Sequence, residues 1–256
     1  MSGSTCNAAA GGDTRRGMPD ISSPINGPLH VIGVHIAARA RLQSTGEQSL
    51  RATPDGFGTP AFGPDSRRVR IAGTALVVES EAGGEPRVEA RSLDGTTLRQ
   101  LAEVAGVDLD RDIYVGDDAP PLGDPDAPLA VDAAAARALA RTYAVAATAL
   151  DRALVALGTQ DRGATLPRLW PEHFDLAVDL EVKPGTRANL GVSPGDGFHA
   201  GPYAYVGPWT AERPGDPDFW NAPFGAYLPL DTDRPDPSNP ADRAARFFLD
   251  GVSRLG

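Results

Sequence analysis

The chain has 256 residues, 41% of them apolar, and a formal net charge of −10. With 24 basic residues against 34 acidic ones and no basic stripe, nucleic acid and anionic membrane surfaces are disfavoured as partners. The single cysteine, Cys6, excludes an intrachain disulfide and a cysteine-ligated metal cluster, and Lys183, the only lysine, would have to carry any lysine chemistry.

Residues 1–27 are rich in Gly, Ser, Ala and Asp without a period and read as a flexible tail. They lack the apolar run of a signal peptide, and no stretch reaches the roughly 18 apolar residues of a membrane span, so a soluble cytoplasmic protein is expected. A single α+β domain is expected over 28–256. Its first helix starts near Pro28, with Leu29, Ile32, Ile36 and Ala40 at helical spacing and Gly33 as a weak point. Residues 49–63 read as extended and turn-rich. A β-meander follows over 68–91, where Arg68–Ile71 and Arg87–Arg91 alternate and Gly73 and Gly83-Gly84 turn the chain. Asp94 is placed to cap a short helix with Leu98, Leu101, Ala102 and Val104 or Ala105 inward. The Pro/Asp/Gly loop at 115–130 is the best candidate for a boundary between lobes.

The strongest periodicity runs from Asp132 to Leu157. Leu139, Tyr143, Ala147, Leu150, Leu154 and Leu157 step by three and four, which predicts one long helix. A second meander is expected over 174–206. Phe174, Leu176, Val178, Leu180 and Val182 alternate with Asp175, Ala177, Asp179 and Glu181, and Lys183-Pro184-Gly185-Thr186 suits a type II turn. Further strands are expected near 187–192 and 202–206, then a loop to Asn239-Pro240, which starts a helix with Ala244, Phe247, Phe248, Val252 and Leu255 on one side. The fold class is therefore α+β, with two antiparallel β-meanders packed against a long Ala-rich helix and a C-terminal helix.

The segment from Arg168 to Leu228 holds all three tryptophans, three of five tyrosines and two of four histidines. His173 and Asp175 stand two apart and would share a strand face. Joined by His199 from a later loop, they suit a divalent metal with N/O ligands. The plainer reading, a solvated acidic face beside a structural histidine, carries more weight. Asp179 would lie about 13 Å from Asp175 along the strand, too far to share an ion. The loop from Ser193 through Asp196 to His199 could place a nucleophile beside a base, but Gly191-Val-Ser-Pro-Gly195 lacks the strand-to-helix context of a nucleophile elbow. Trp170, Glu172, Tyr203, Tyr205, Trp209 and Trp220, with Phe224, could line a ligand site. Aromatic residues beside Pro and Gly more often anchor loops. His30 and His35 sit roughly 140° apart on a regular helix and do not form a metal pair.

The phrases LRATPDGFGTP (50–60), LWPEHFDLAVDL (169–180), NLGVSPGD (189–196) and PYAYVGPW (202–209) resemble those of uncharacterised proteins of GC-rich actinobacteria. That resemblance covers most of 28–256 and brings no assigned activity and no catalytic residue. Three expectations follow from the residues. The first is a small-molecule binder or enzyme with a His173/Asp175/His199 pocket, with metal-dependent hydrolysis as its candidate reaction. The second is a non-catalytic binding module using the Trp-rich loops. The third is an interaction protein without a pocket.

Overall fold

The computed structural model describes residues 27–158, 163–232 and 239–256. The expected tail thus lies outside the described residues except for Gly27. The chain opens with a helical run made of α1 (Gly27–Ile32), a π-helical segment (Gly33–Ala38) and α2 (Arg39–Thr45). Strands β1 (Arg51–Thr53), β2 (Gly56–Gly58), β3 (Arg68–Ala72), β4 (Ala75–Ala82) and β5 (Glu85–Ser92) form an antiparallel sheet in sequence order, followed by α3 (Leu98–Ala105). The long helix α4 (Ala133–Leu157) leads into a second five-stranded antiparallel sheet. Its strands are β6 (Arg168–Trp170), β7 (Asp175–Lys183), β8 (Thr186–Ser193), β9 (Tyr203–Pro208) and β10 (Ala226–Pro229), and α5 (Pro240–Leu255) ends the chain. The expected α+β class with two meanders and two packing helices is what the structure shows.

Each meander is longer than its alternation announces. Residues 51–58 form β1 and β2, and a strand at 226–229 replaces part of the expected loop. The two sheets meet where Leu50 and Leu169 exchange N–H···O bonds of 2.8 and 2.9 Å.

The helix ends have local causes. Asp132 Oδ1 accepts from the Ala134 N–H at 2.8 Å and starts α4. Asn239 does the same for α5 through Ala241 N–H, with Pro240 in the first turn. For α3 the cap is Thr97, not Asp94. Thr97 and Gln100 form a reciprocal capping box, and Asp94 instead accepts from Val131 N–H.

Helix α4 is the keel of the fold. It packs on β1 and β2 of the first sheet, β7 and β8 of the second, and α5. Leu139, Tyr143 and Leu150 are fully buried, and Ala146, Ala149 and Ala153 widen the buried stripe beyond the one expected from spacing. Small side chains there let two layers approach one helix closely. The core face of the second sheet is made by Leu176, Val178 and Leu180 of β7, Leu190 and Val192 of β8, and Ala204 and Val206 of β9. The alternate residues look the other way, onto an open face.

Gly33 begins the π-helical segment for a steric reason. A Cβ there would lie 2.8 Å from Phe174 Cε2 and 3.2 Å from Phe57 Cε2. Both rings are completely buried and packed edge to face at 5.0 Å, so neither can yield cheaply. Gly33→Ala is therefore expected to destabilise by about 1–3 kcal/mol despite alanine's better helix propensity. A urea titration reads this directly, and a neutral or stabilising outcome would contradict it.

Candidate functional site

The open face of the second sheet is not an evenly solvated acidic surface. Register puts Asp175 and Asp179 of β7, Asn189, Gly191 and Ser193 of β8, and Tyr203 and Tyr205 of β9 on this side. Asp179 is neutralised by Arg187, whose Nε and Nη2 donate at 3.1 and 2.6 Å. Asp175 behaves differently. It is only 5% exposed, and it lies on the floor of a cavity of about 380 Å³.

Two local devices put it there. Phe174 takes a left-handed backbone (φ 57°) after the Trp170–Phe174 turn, drives its ring into the core, and starts β7 with Asp175 on the open side. Gly191, paired with Tyr205 across the sheet, leaves room for the tyrosine ring to lie over it. A Cβ at 191 would fall 2.5 Å from the Tyr205 ring and hydroxyl. Tyr205 thereby reaches across β8 and donates a hydrogen bond to Asp175 Oδ2. Asp175 Oδ1 is buried and has no hydrogen-bond partner among the described residues.

Burial pushes the Asp175 carboxyl up to about 6, against the opposing pull of the Tyr205 hydroxyl and of His173. Burial and the facing carboxylate hold the Tyr205 phenol protonated well above its ordinary range.

The rest of the cavity is built around Asp196. Its Oδ2 accepts from the Tyr203 hydroxyl at 2.6 Å and the Ser193 hydroxyl at 3.4 Å, and its Oδ1 accepts from the N–H groups of Phe198 and His199. Asn189 Oδ1 accepts from the Trp209 indole at 3.0 Å. Trp209 is 61% exposed at the cavity edge, with the Arg187 guanidinium 5.3 Å from its ring centroid. Phe224 closes the wall.

No protein-family model, curated protein or solved structure matches this chain.

Of the sequence candidates, His173, Asp175, Tyr203, Tyr205 and Trp209 line one cavity. The proposed metal set does not assemble. Among the described residues no group of three or more His, Cys, Asp and Glu side chains could hold an ion. The reasons are local. His173 sits in the turn before β7; it lines the same cavity as Asp175, but its Nδ1 lies 3.5 Å from Asp118 Oδ2 at the surface. His199 Nδ1 is turned to the Gly201 carbonyl at 2.9 Å. Nor is Ser193 served by His199: its hydroxyl faces Asp196 and accepts from Gly195 N–H.

Glu172, Trp170 and Trp220 are not part of the cavity wall. Glu172 packs over Gly116, with burial raising its carboxyl above the usual range. Trp170 belongs to β6. Trp220 anchors its loop, donating to the Pro214 carbonyl and stacking edge-on to Phe219. Ser193, Asn189 and Asp196 also belong to the cavity; Ser193 and Asp196 stand in the Ser193–His199 loop, whereas Asn189 carries no local signal in the sequence.

His30 and His35 are both structural. His30 donates from Nε2 to the Pro171 carbonyl and stacks on Phe174 at 4.5 Å, and burial lowers its pKa to about 4. His35 donates to the Pro120 carbonyl and pins the 115–130 loop to the π-helical segment.

Proposed function

We propose that this protein binds a small polar molecule on the open face of its second sheet and exchanges a proton with it through Asp175. One observation carries the reading. A buried carboxyl with a pKa near neutrality has one oxygen held by Tyr205 and the other unpartnered, at the base of a cavity walled by aromatic rings. Leaving a buried acceptor unmade is costly, and a ligand hydroxyl or amino group is the donor that completes it. A carboxyl with that pKa can act as general acid or base at physiological pH. Tyr203, Tyr205, Trp209 and Phe224 supply flat apolar surface, and Asn189, Ser193 and Asp196 supply orienting polar groups, which is the composition of small-molecule sites in general.

Of the three tryptophans only Trp209 is on the wall, so a purely binding role would also centre on this cavity.

The test is a thermal-shift screen of monosaccharides and polyols, primary amines and nucleosides, on the native protein, Asp175→Asn and Trp209→Ala. One class is expected to stabilise the native protein with an affinity that falls at least tenfold in each variant. Turnover of that compound should be lost in Asp175→Asn and should show an inflection near pH 6 in the native protein. No stabilisation by any class, or stabilisation undiminished in Asp175→Asn, would sink the proposal.

A further inference from the structure

The first sheet carries a second cavity, sharing no residue with the first. Strand β2 reads Gly56-Phe57-Gly58. Phe57 is in the core, so both residues on the open face are glycines. The glycines let β3 approach closely: a Cβ on Gly58 would come 2.5 Å from the Cβ of Arg70, and one on Gly56 would come 2.1 Å from the Ile71 carbonyl oxygen. Beside them, between β1 and β3, lies a trough. The trough holds about 420 Å³ and is walled by Arg51 and Thr53 on one side and Arg68 and Arg70 on the other, with Asp55 and Glu79 at its margins.

Charge is unevenly matched here. Arg70 is committed to Glu79, with Nε and Nη2 at 3.0 and 2.8 Å from Oε1. Arg51 and Arg68 make no ion pair among the described residues. A third arginine without an ion pair among the described residues comes from the second sheet. Leu50 and Leu169 form a hydrogen-bonded antiparallel pair, so the next pair along sets Arg51 opposite Arg168, both on the open face. In such non-hydrogen-bonded pairs side chains stand closest, and like charges placed there destabilise a sheet. Thr53 Oγ1, in the same trough, is buried without a hydrogen-bond partner. A chain with ten more acidic than basic residues thus leaves Arg51 and Arg68 without an ion pair in one trough with an unpartnered hydroxyl, and Arg168 next to Arg51 by register.

We propose that this trough binds the phosphate group of a small molecule, held by Arg51 and Arg68, capped by Arg168 and accepting a hydrogen bond from Thr53. Guanidinium forks match phosphate oxygens two at a time. A dianion between Arg51 and Arg168 turns a repulsion into an attraction.

The experiment is calorimetric titration of the whole protein with inorganic phosphate at constant ionic strength, with malonate as the carboxylate comparison. Saturable binding of phosphate is expected, at least tenfold weaker in Arg51→Ala and Arg68→Ala and threefold or more weaker in Arg168→Ala. Arg168 is exposed, so that last variant keeps its fold. Trp209→Ala, at the other cavity, should bind phosphate normally. In phosphate-free buffer Arg51→Ala should melt no lower than the native protein, and in saturating phosphate it should melt lower. No phosphate binding by the native protein, binding of malonate only, or unchanged phosphate affinity in both Arg51→Ala and Arg168→Ala would overturn the proposal.

Discussion

Replacing Asp175 with asparagine is expected to stabilise the protein at pH 7–8 while removing its ligand chemistry. A carboxyl whose ordinary pKa is 3.8 and whose native value is about 6 binds its proton more tightly in the folded state. Its contribution to stability is therefore fully present below about pH 4 and is lost as pH rises through 6. Above that, the native state holds a buried anion that the unfolded chain would hydrate. A shift of this size corresponds to about 2–3 kcal/mol at about 1.4 kcal/mol per pH unit. Asparagine keeps an acceptor for the Tyr205 hydroxyl and carries no charge. Urea unfolding of both proteins at pH 4, 5, 6, 7 and 8 should show curves that nearly coincide at pH 4 and separate progressively up to about pH 7. Curves that stay parallel over the whole range would mean that Asp175 does not titrate in this window. A residue that weakens the fold where it sits is the usual mark of a site kept for chemistry.

Phe174→Ala should be the most damaging single change in the core. Phe174 is completely buried, stacked on His30 at 4.5 Å and edge to face with Phe57 and Tyr143 at 5.0 and 5.8 Å. Its carbonyl accepts from the Tyr143 hydroxyl at 2.9 Å, so the turn is tied to α4. Deleting the ring is expected to cost about 3–5 kcal/mol. The left-handed backbone at this position (φ 57°) adds a distinctive signature. Glycine is ordinarily worse than alanine in an ordered segment, but here it relieves strain, so Phe174→Gly should be no less stable than Phe174→Ala. Equilibrium denaturation of the pair tests both statements. Because this residue sets Asp175 on the open face, both variants should also lose ligand affinity beyond what their stability loss explains.

Much of the fold was legible because its signals are local. Helix α4 showed itself in three- and four-residue steps, and β7 in strict alternation from Leu176 to Val182. Strands β1, β2 and β10 were not legible: Gly56 and Gly58 present no side chains to alternate, and Ala226–Pro229 is four residues long and sustained by its pairing with β9. The Thr97 cap had a readable signature, Thr-x-x-Gln, that Asp94 obscured. At the site, alternation correctly put Asp175 on the polar face. Whether that face is wet depends on long-range pairing, because it is Tyr205, arriving over Gly191 from two strands away, that covers the acid. Glycine inside β8 was the one local hint of such an approach. The metal triad does not assemble because His199 Nδ1 is turned to the Gly201 carbonyl and His173 faces Asp118, contacts that spacing along the chain does not announce.

The union of the two sheets at Leu50 and Leu169 also bears on how the molecule avoids sticking to its own copies. The Leu50–Leu169 bridge brings the edge strands β1 and β6 together, so that each sheet's other edge, β5 or β10, is the outer end. Strand β10 has only four residues. Strand β5 is eight residues long and exposed throughout, and it carries Pro86 together with Glu85, Arg87, Glu89 and Arg91 in alternation. Those charges lie on the side that a stacked sheet would have to make dry. Polymerisation through strand addition is thus discouraged at one end by brevity and at the other by charge and a missing amide.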